Sequence, residues 1–156
     1  MFNSIVWATD GSEAADLALP YVKELAAQGA EKLTVVHCEE FVLGPKSSGY
    51  TVHPDEYELK AKIERQVAEL AGQATEVQYK LVGTATGGAA HRIAEVADEE
   101  GADLIIVGTR GHTALGGLLL GSVTQRLLHI GKCPVLAIPA VAKPAEAKPE
   151  SLQATS

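Results

Sequence analysis

The sequence predicts an α/β fold in which helices cover both faces of a parallel sheet, giving a three-layer sandwich. Apolar runs alternate with amphipathic stretches five times along the chain, as in β-α units wound into one sheet. The stretch Asp103–Val107 is a short β-branched run of the kind buried in parallel sheets. With 156 residues, of which 46% are hydrophobic, the chain is long enough to bury the core of a single domain.

The first two predicted strands flank an amphipathic helix. Strand one is expected over Ser4–Thr9 and strand two over Lys32–Cys38. The helix between them ends at Gln28-Gly29-Ala30, and its apolar face is formed at 3.6-residue spacing by Ala14, Leu17, Ala18, Tyr21, Val22 and Leu25. Residues 39–54 follow without clear periodicity, which is long for a connection and indicates either a lid or a loose loop.

The second half of the chain repeats this alternation. Leu59, Ile63, Val67 and Leu70 mark helix two, and Ile93, Val96 and Ala97 mark helix three. The remaining strands are expected over Val77–Val82, Asp103–Val107 and Pro134–Ile138, the last of them bracketed by Pro134 and Pro139. The helix before the last strand begins at Gly121-Ser122 and continues with Val123, Leu127 and Ile130 at helical spacing.

The last segment of the chain, residues 140–156, has a different composition from the rest. It is rich in alanine, proline and charge, reads A-K-P-A-E and then A-K-P-E, and contains no aromatic residue. Such a composition cannot bury enough surface to order itself. We therefore expect a domain over residues 1–139 and a disordered C-terminal tail over residues 140–156, for which a docking role is the alternative.

Charge and cysteine content exclude several classes of partner. Thirteen basic and twenty acidic side chains give a net charge of −7, which repels nucleic acid and anionic membranes. The first ten residues lack a basic region, and no apolar run approaches the ~18 residues of a membrane span, so we expect a cytosolic protein. The two cysteines, Cys38 and Cys133, lack C-x-x-C spacing and are expected to be reduced packing residues.

The most informative motif lies between strand four and the next helix, where Gly108, Gly111, Gly121 and Ser122 have the spacing G-x2-G-x9-G-S. Glycines allow peptide N–H groups to approach one anion closely, and the helix that begins at Gly121-Ser122 adds its own amides and its dipole. The dipole contributes only about 0.3–1 kcal/mol, so several amides and the Ser122 hydroxyl must act together. The loop therefore predicts a phosphate site. The alternative is a turn that uses its glycines for conformation and binds nothing.

Two other phosphate motifs fit this chain less well. A Walker A loop requires Lys after its glycines, but Leu120 precedes Gly121-Ser122 and no lysine is present there. A Rossmann G-x-G-x-x-G is absent after the first strand, where the chain reads Asp10-Gly11-Ser12.

The spacing G-x2-G-x9-G-[ST] resembles the nucleotide-binding signature of the universal stress protein family, and Leu120–Thr124 matches its ATP-binding members closely. The resemblance covers most of residues 1–139, including Ala8-Thr9-Asp10, His37-Cys38, Asp103–Gly111 and Cys133-Pro134-Val135. It implies a Rossmann-like fold of the adenine nucleotide alpha hydrolase type with strand order 3-2-1-4-5. It also implies ATP as the ligand, a regulatory role in stress response, and a homodimer paired through Val135–Ile138.

Asp10 is the residue that we assign to the sugar of the nucleotide. Right-handed crossovers place strands one and four side by side, and ligands bind at the carboxyl ends of such strands, where both Asp10 and Gly108 lie. A carboxylate repels phosphate but accepts hydrogen bonds from two vicinal ribose hydroxyls. The alternative is that Asp10 caps helix one, because Asp10 and Glu13 have the offset of a capping box.

The other nucleotide-binding assignments follow from the resemblance and the loop. Relatives line the adenine ring at the positions of Ala8 and Thr9 and contact its edge through main-chain groups at the end of strand two, here Cys38. His37 beside it is expected to be a packing residue. Gly108, Gly111, Gly121 and Ser122 bind the phosphates, with backbone groups of Val107 and Val123. Arg110 either screens phosphate charge or faces solvent.

No catalytic residue is assigned. The expected site has one carboxylate and hydroxyls but no recognisable nucleophile and base pair, so efficient turnover is not expected. Slow ATP hydrolysis is an alternative if Asp10 and the phosphates share Mg²⁺. Further alternatives are a cyclic AMP-binding protein and a dimeric interaction scaffold without nucleotide.

Overall fold

The computed structural model describes residues 1–40, 42–43, 50–51, 55–84, 88–109 and 120–140. Its main sheet has five parallel strands: β1 (Ser4–Ala8), β2 (Lys32–Glu40), β5 (Glu76–Thr84), β6 (Leu104–Gly108) and β7 (Val135–Ile138). Two short antiparallel strands, β3 (Val42–Leu43) and β4 (Tyr50–Thr51), form a separate hairpin. The helices are α1 (Glu13–Asp16), α2 (Leu19–Ala27), α3 (Glu56–Leu70), α4 (Ala89–Glu99) and α5 (Ser122–Ile130).

The order of strands in the main sheet is β5-β2-β1-β6-β7. Numbered along the sheet-forming strands, this is 3-2-1-4-5, and it confirms the order that the resemblance implies. Ala8 of β1 pairs with Val36 of β2 on one side and with Val107 of β6 on the other. The two strands expected to carry the site are therefore neighbours at the centre of the sheet.

Alternating side chains of the central strands fill two separate cores. Ile5 and Trp7 point to one face, where they pack against α2 and α3. Val6 and Ala8 point to the other face, against α4 and α5. Since the central strands β1 and β6 bury both of their faces under helices, the predicted three-layer arrangement is confirmed. Within the described residues, no helix combines the length and the apolar character needed to cross a bilayer.

The prediction of one continuous first helix is wrong, because the structure divides it into α1 and α2. Pro20 lies in the first turn of α2. Proline has no backbone N–H, and its ring clashes with the carbonyl group four residues earlier, which here belongs to Asp16, the last residue of α1. The apolar face is shared by the two helices, with Ala15, Ala18, Val22 and Ala26 buried, whereas Tyr21, which the spacing predicts on this face, is exposed.

Strands β2 and β5 extend further than expected, and their pairing continues to Glu40 and Thr84. Glu39 remains buried there because Lys60 of α3 donates a hydrogen bond to its carboxylate at 2.8 Å. Most of the 39–54 connection, like residues 141–156 of the expected tail, lies outside the described residues.

Glu100, at the end of α4, joins that helix to two strands. Its carboxylate accepts hydrogen bonds from Lys32 of β2 at 3.1 Å and Gln78 of β5 at 2.7 Å, and it forms an ion pair with Lys80. The hydrogen bond from Lys80, together with those from Lys32 and Gln78, lowers the pKa of Glu100 to about 2, although burial opposes this shift. These contacts stabilise the sheet away from its carboxyl edge.

Candidate functional site

The turn after β1 is held by specific hydrogen bonds from three of its amides, those of Thr9, Gly11 and Ser12. We call residues 9–12 the Asp10 turn. The Thr9 amide continues the sheet by donating to the Val36 carbonyl at 3.0 Å. The Gly11 amide donates to the Thr9 hydroxyl at 3.1 Å, and the Ser12 amide donates to Asp10 Oδ1 at 3.0 Å. The Asp10 side chain therefore has a defined position at the carboxyl end of β1, and it is only half-buried.

Gly11 is required by the conformation of this turn. Its φ of +74° lies in the left-handed region, and a Cβ atom at this position would lie 2.8 Å from Leu59 Cδ2 of α3. Any other residue would therefore combine backbone strain with a steric clash. The close approach of α3 is part of the geometry of the Asp10 turn.

Ser12, not Asp10, caps α1. The Ser12 hydroxyl accepts a hydrogen bond from the Ala15 amide at 3.2 Å, and Ser12 has the extended backbone typical of an N-cap. The alternative role of Asp10 as the helix cap is wrong, because its carboxylate accepts from the Ser12 amide before the helix begins.

His37 contacts the Asp10 turn from the neighbouring strand. Its ring is buried, and Nδ1 lies 3.1 Å from the Thr9 carbonyl oxygen. A carbonyl oxygen only accepts hydrogen bonds, so Nδ1 carries a proton and donates it. On the other side of the ring, Nε2 lies 2.6 Å from Glu56 Oε1 of α3. His37 is thus more than the packing residue that the sequence suggests, because it orients the Thr9 carbonyl group.

Cys38 follows His37 at the same edge of the sheet. Its thiol is half-buried and donates toward the Ala89 carbonyl oxygen of α4 at 3.8 Å. Cys133 is also a free thiol, and burial raises its pKa. Neither of the two cysteines is in a disulfide here, and their reduced state in the cell stays a prediction.

The end of β6 and the start of α5 are linked directly. The Thr124 hydroxyl donates to the Gly108 carbonyl at 2.8 Å, and the Gly121 amide donates to the Thr109 carbonyl. Thr109 in turn donates its own amide to the Ile138 carbonyl of β7 at 2.9 Å. These bonds bring Gly108 and Gly121 to the same place, as the motif predicts. They also change one assignment, because the Gly121 amide is used within the protein.

The amides that remain for a ligand belong to the first turn of α5. Gly121 is the N-cap, and its carbonyl accepts the Gln125 amide at 3.0 Å, which is the first hydrogen bond of the helix. The amides of Ser122, Val123 and Thr124 precede this bond and have no acceptor within the helix. Ser122 and Val123 are both exposed residues.

The structure brings nine of the eleven predicted site residues to one edge of the main sheet. They lie at the ends of β1, β2 and β6 and at the start of α5: Ala8, Thr9, Asp10, Cys38, Val107, Gly108, Gly121, Ser122 and Val123. Arg110 and Gly111 lie outside the described residues. Sequence reasoning missed three residues of α3: Leu59 and Lys62, which lie against Gly11 of the Asp10 turn, and Glu56, which contacts His37.

The arrangement presents two kinds of polar group to a ligand. Asp10 offers carboxylate oxygens, which accept hydrogen bonds from hydroxyl groups, and the first turn of α5 offers N–H donors and a positive dipole end, which favour anions. Within the described residues there is no group of three or more His, Cys, Asp or Glu side chains placed to bind a metal ion.

Comparison with known proteins places this geometry in a family. The model of the universal stress protein family matches residues 1–139. A universal stress protein of Thermus aquaticus is 37% identical over 140 residues, with 88% of this chain and 99% of the relative covered. Protein MJ0577 of Methanocaldococcus jannaschii is a universal stress protein that is 30% identical over 154 residues, with 88% of this chain and 95% of the relative covered.

Solved structures agree with this result. The structure of MJ0577 superposes with a TM-score of 0.70, covering 88% of this chain and 96% of that one. A universal stress protein from Archaeoglobus fulgidus in complex with dAMP is 25% identical, with a TM-score of 0.63 and coverage of 87% and 97%. The family match over residues 1–139, the identity with these relatives and the shared fold show that this chain belongs to the universal stress protein family.

Proposed function

We propose that this protein binds an adenine nucleotide, ATP in the first place, at the carboxyl edge of its sheet and acts in stress response as a nucleotide-dependent regulator. The observation that carries the proposal is the presence, at one sheet edge, of the Asp10 carboxylate and of the amino end of α5 with its exposed Ser122 hydroxyl. A ribose and a phosphate chain require these two kinds of group. The dAMP complex of the Archaeoglobus relative supports a nucleotide as the ligand class.

Each part of the nucleotide has residues suited to it. Asp10 accepts hydrogen bonds from the ribose hydroxyls, and the Ser122 and Val123 amides with the Ser122 hydroxyl donate to phosphate oxygens. Arg110 and Gly111, which lie outside the described residues, add to the phosphate site, and main-chain groups of Cys38 contact the base with Ala8 and Thr9. Because the net charge of the chain is −7, binding depends on these local donors rather than on the overall field.

We also propose that two copies pair through β7, as the resemblance implies. β7 is an edge strand of the sheet, and its other side has no partner strand among the described residues. Val135, Leu136 and Ala137 are only half-buried in the single chain. An apolar edge of this kind requires cover, which a second copy supplies. The cytosolic location that the sequence suggests stays a prediction.

Nucleotide binding is tested by isothermal titration of the full chain with ATP, AMP and cyclic AMP, with GTP as the control for the base. Saturating ATP should stabilise the protein by about 2.7 kcal/mol at a hundredfold excess over the dissociation constant. ATP is expected to bind more tightly than the other ligands. If cyclic AMP bound most tightly, it would replace ATP as the proposed ligand. If no adenine nucleotide changed the melting temperature, nucleotide binding would be refuted. The remaining hypothesis would then be a dimeric interaction scaffold without nucleotide.

Mass spectrometry of the small molecules that copurify with the protein gives an independent check. The release of free phosphate from ATP, measured with and without Mg²⁺, determines whether slow hydrolysis accompanies binding. Phosphate release that is lost in D10A would support the hydrolytic alternative.

A further inference from the structure

Lys62 of α3 contacts the backbone of the Asp10 turn at Gly11. Its ammonium group donates to the Gly11 carbonyl oxygen at 2.7 Å and to Asp16 Oδ2 at 2.5 Å. Gln66, one helical turn further along, donates to the other carboxylate oxygen of Asp16 at 2.8 Å. Asp16 and Gln66 therefore fix the direction of the Lys62 side chain. The ammonium group of Lys62 is held against the Gly11 carbonyl oxygen.

The Gly11 carbonyl group connects Lys62 to Asp10. It belongs to the same peptide group as the Ser12 amide, which donates to Asp10 Oδ1 at 3.0 Å. A positive charge on the oxygen of a peptide group polarises it and makes its N–H a stronger donor. The charge of Lys62 thus reaches the Asp10 carboxylate through one peptide group, although no atom of Lys62 is required to touch the ligand.

We propose that Lys62 is a positioning residue of the nucleotide site, which orients the Asp10 carboxylate toward the ribose through the Gly11–Ser12 peptide group. This inference rests on the proposed function for its ligand, but the contacts on which it depends are those of the protein alone.

Lys60 provides a matched control on the same helix. It also forms an ion pair with a buried carboxylate, Glu39, and its side chain is as accessible as that of Lys62, with 25% and 31% exposed respectively. Unlike Lys62, Lys60 has no hydrogen bond to the backbone of the Asp10 turn among the described residues. Substitution by methionine keeps most of the apolar stem of either side chain and removes the ammonium group with its charge and its hydrogen-bond donors.

The experiment compares the unmodified protein with K62M, K62R and K60M by isothermal titration with ATP and with 2′,3′-dideoxy-ATP, which lacks both ribose hydroxyls. K62M should bind ATP about tenfold more weakly, because the Asp10 carboxylate is no longer held toward the ribose and its hydrogen bonds to the hydroxyls weaken. It should bind the dideoxy nucleotide nearly as the unmodified protein does. K62R should recover ATP binding because its guanidinium also donates to two acceptors. K60M should keep the preference for ATP over the dideoxy nucleotide.

If Lys62 had a purely structural role, K62M would lose affinity for ATP and for the dideoxy nucleotide by the same factor. That result would overturn the proposal, and so would an unchanged affinity of K62M for ATP. Amide exchange in the protein without nucleotide separates this inference from the proposed function. The Ser12 amide should exchange faster in K62M than in K60M. If the unmodified protein bound no nucleotide, the proposed function would fail, and unchanged exchange at Ser12 would show that Lys62 does not order the turn.

Discussion

The Thr124 hydroxyl donates a hydrogen bond of 2.8 Å to the Gly108 carbonyl oxygen, and so joins the first turn of α5 to the last residue of β6. Thr124 is buried, and the amide of Gly121 donates to Thr109 beside it. Gly108 and Thr109 at the end of β6 are therefore held next to Gly121 and Thr124 at the start of α5. The relative position of the Gly108 and Ser122 ends of the phosphate motif depends on these two bonds.

Replacement of Thr124 by valine should weaken both stability and nucleotide binding. Valine keeps the shape of the side chain but leaves the half-buried Gly108 carbonyl without the Thr124 hydroxyl as its donor, which costs about 1–3 kcal/mol of unfolding free energy. Urea unfolding measures this loss, and titration with ATP measures the effect on the site. T124S is the control, because serine retains the hydroxyl group, and equal ATP affinities of the two variants would argue against a role of this bond in the site.

Asp10 should determine the preference for a ribose with free hydroxyls. In D10N the side-chain carbonyl still accepts from the Ser12 amide, but one charged acceptor is replaced by an NH₂ donor. Affinity for ATP should fall about tenfold or more, as expected for lost hydrogen bonds to a charged group, while affinity for 2′,3′-dideoxy-ATP should change little. Calorimetric titration measures both. E13Q, at the exposed first residue of α1, is the matched control. Equal losses for the two nucleotides would contradict the assignment of Asp10 to the sugar.

Glu100 should contribute stability that depends on pH. Its pKa falls from an ordinary value of 4.5 to about 2 in the folded protein. The contribution is therefore fully present above pH 4.5 and is lost as the pH falls toward 2, because the unfolded chain takes up the proton first. E100Q should reduce the free energy of unfolding by about 1–3 kcal/mol at pH 7 and by progressively less below pH 4.5.

Urea unfolding at pH 7, 4 and 3 follows the difference between E100Q and the unmodified protein. E99Q is the control, since the Glu99 side chain is 63% exposed and lies 3.9 Å from the same Lys80. A difference for E100Q that did not shrink on acidification would show that its effect comes from packing and not from charge.

Ala137 should report whether β7 pairs with a second copy. Pro134 and Ile138 direct their carbonyl groups toward β6, where they accept the Ile105 and Thr109 amides at 2.9 Å. Because backbone direction alternates along a strand, the Ala137 amide points away from β6. A137P removes this outward donor without removing a bond to β6, and proline is tolerated at such an edge.

Light scattering coupled to size-exclusion chromatography should then show a monomer for A137P and a dimer for the unmodified protein. A137T retains the amide and should remain a dimer. A dimer that survived in A137P would mean that the copies associate through another surface.

The sheet could be predicted from the sequence because each strand has a strong local signal. Buried runs such as Ile5–Ala8 and Leu104–Val107 are apolar on both faces, and that pattern requires no knowledge of the partner strand. The break at Pro20 also had a local signal, since proline inside an apolar helical pattern marks a helix start. The hairpin of β3 and β4 had none, because two residues per strand are too few to show a period.

The candidate site could be predicted only in part, for a physical reason. Gly108, Gly121 and Ser122 are found by their spacing, because a loop between a strand and a helix needs small residues at fixed positions. The contacts of Lys62 with Gly11 and of Glu56 with His37 join residues that are 51 and 19 positions apart. On a charged helix such as α3, Lys62 and Lys60 look alike in sequence, and only the fold distinguishes the lysine that reaches the backbone.

The pairing of β1 with β6 has a consequence for the order of events during synthesis. The Ser4 amide donates to Asp103 Oδ1, a residue 99 positions later, and every rung between β1 and β6 spans a similar length of chain. Closing so long a loop is entropically costly, and the ribosome delivers β6 only after β2 and β5. In a nascent chain that ends at residue 101, the β1 amides that face β6 in the folded protein are therefore expected to take up deuterium rapidly. The sheet edge at which Asp10 and Gly108 meet forms only after translation of the C-terminal third has begun.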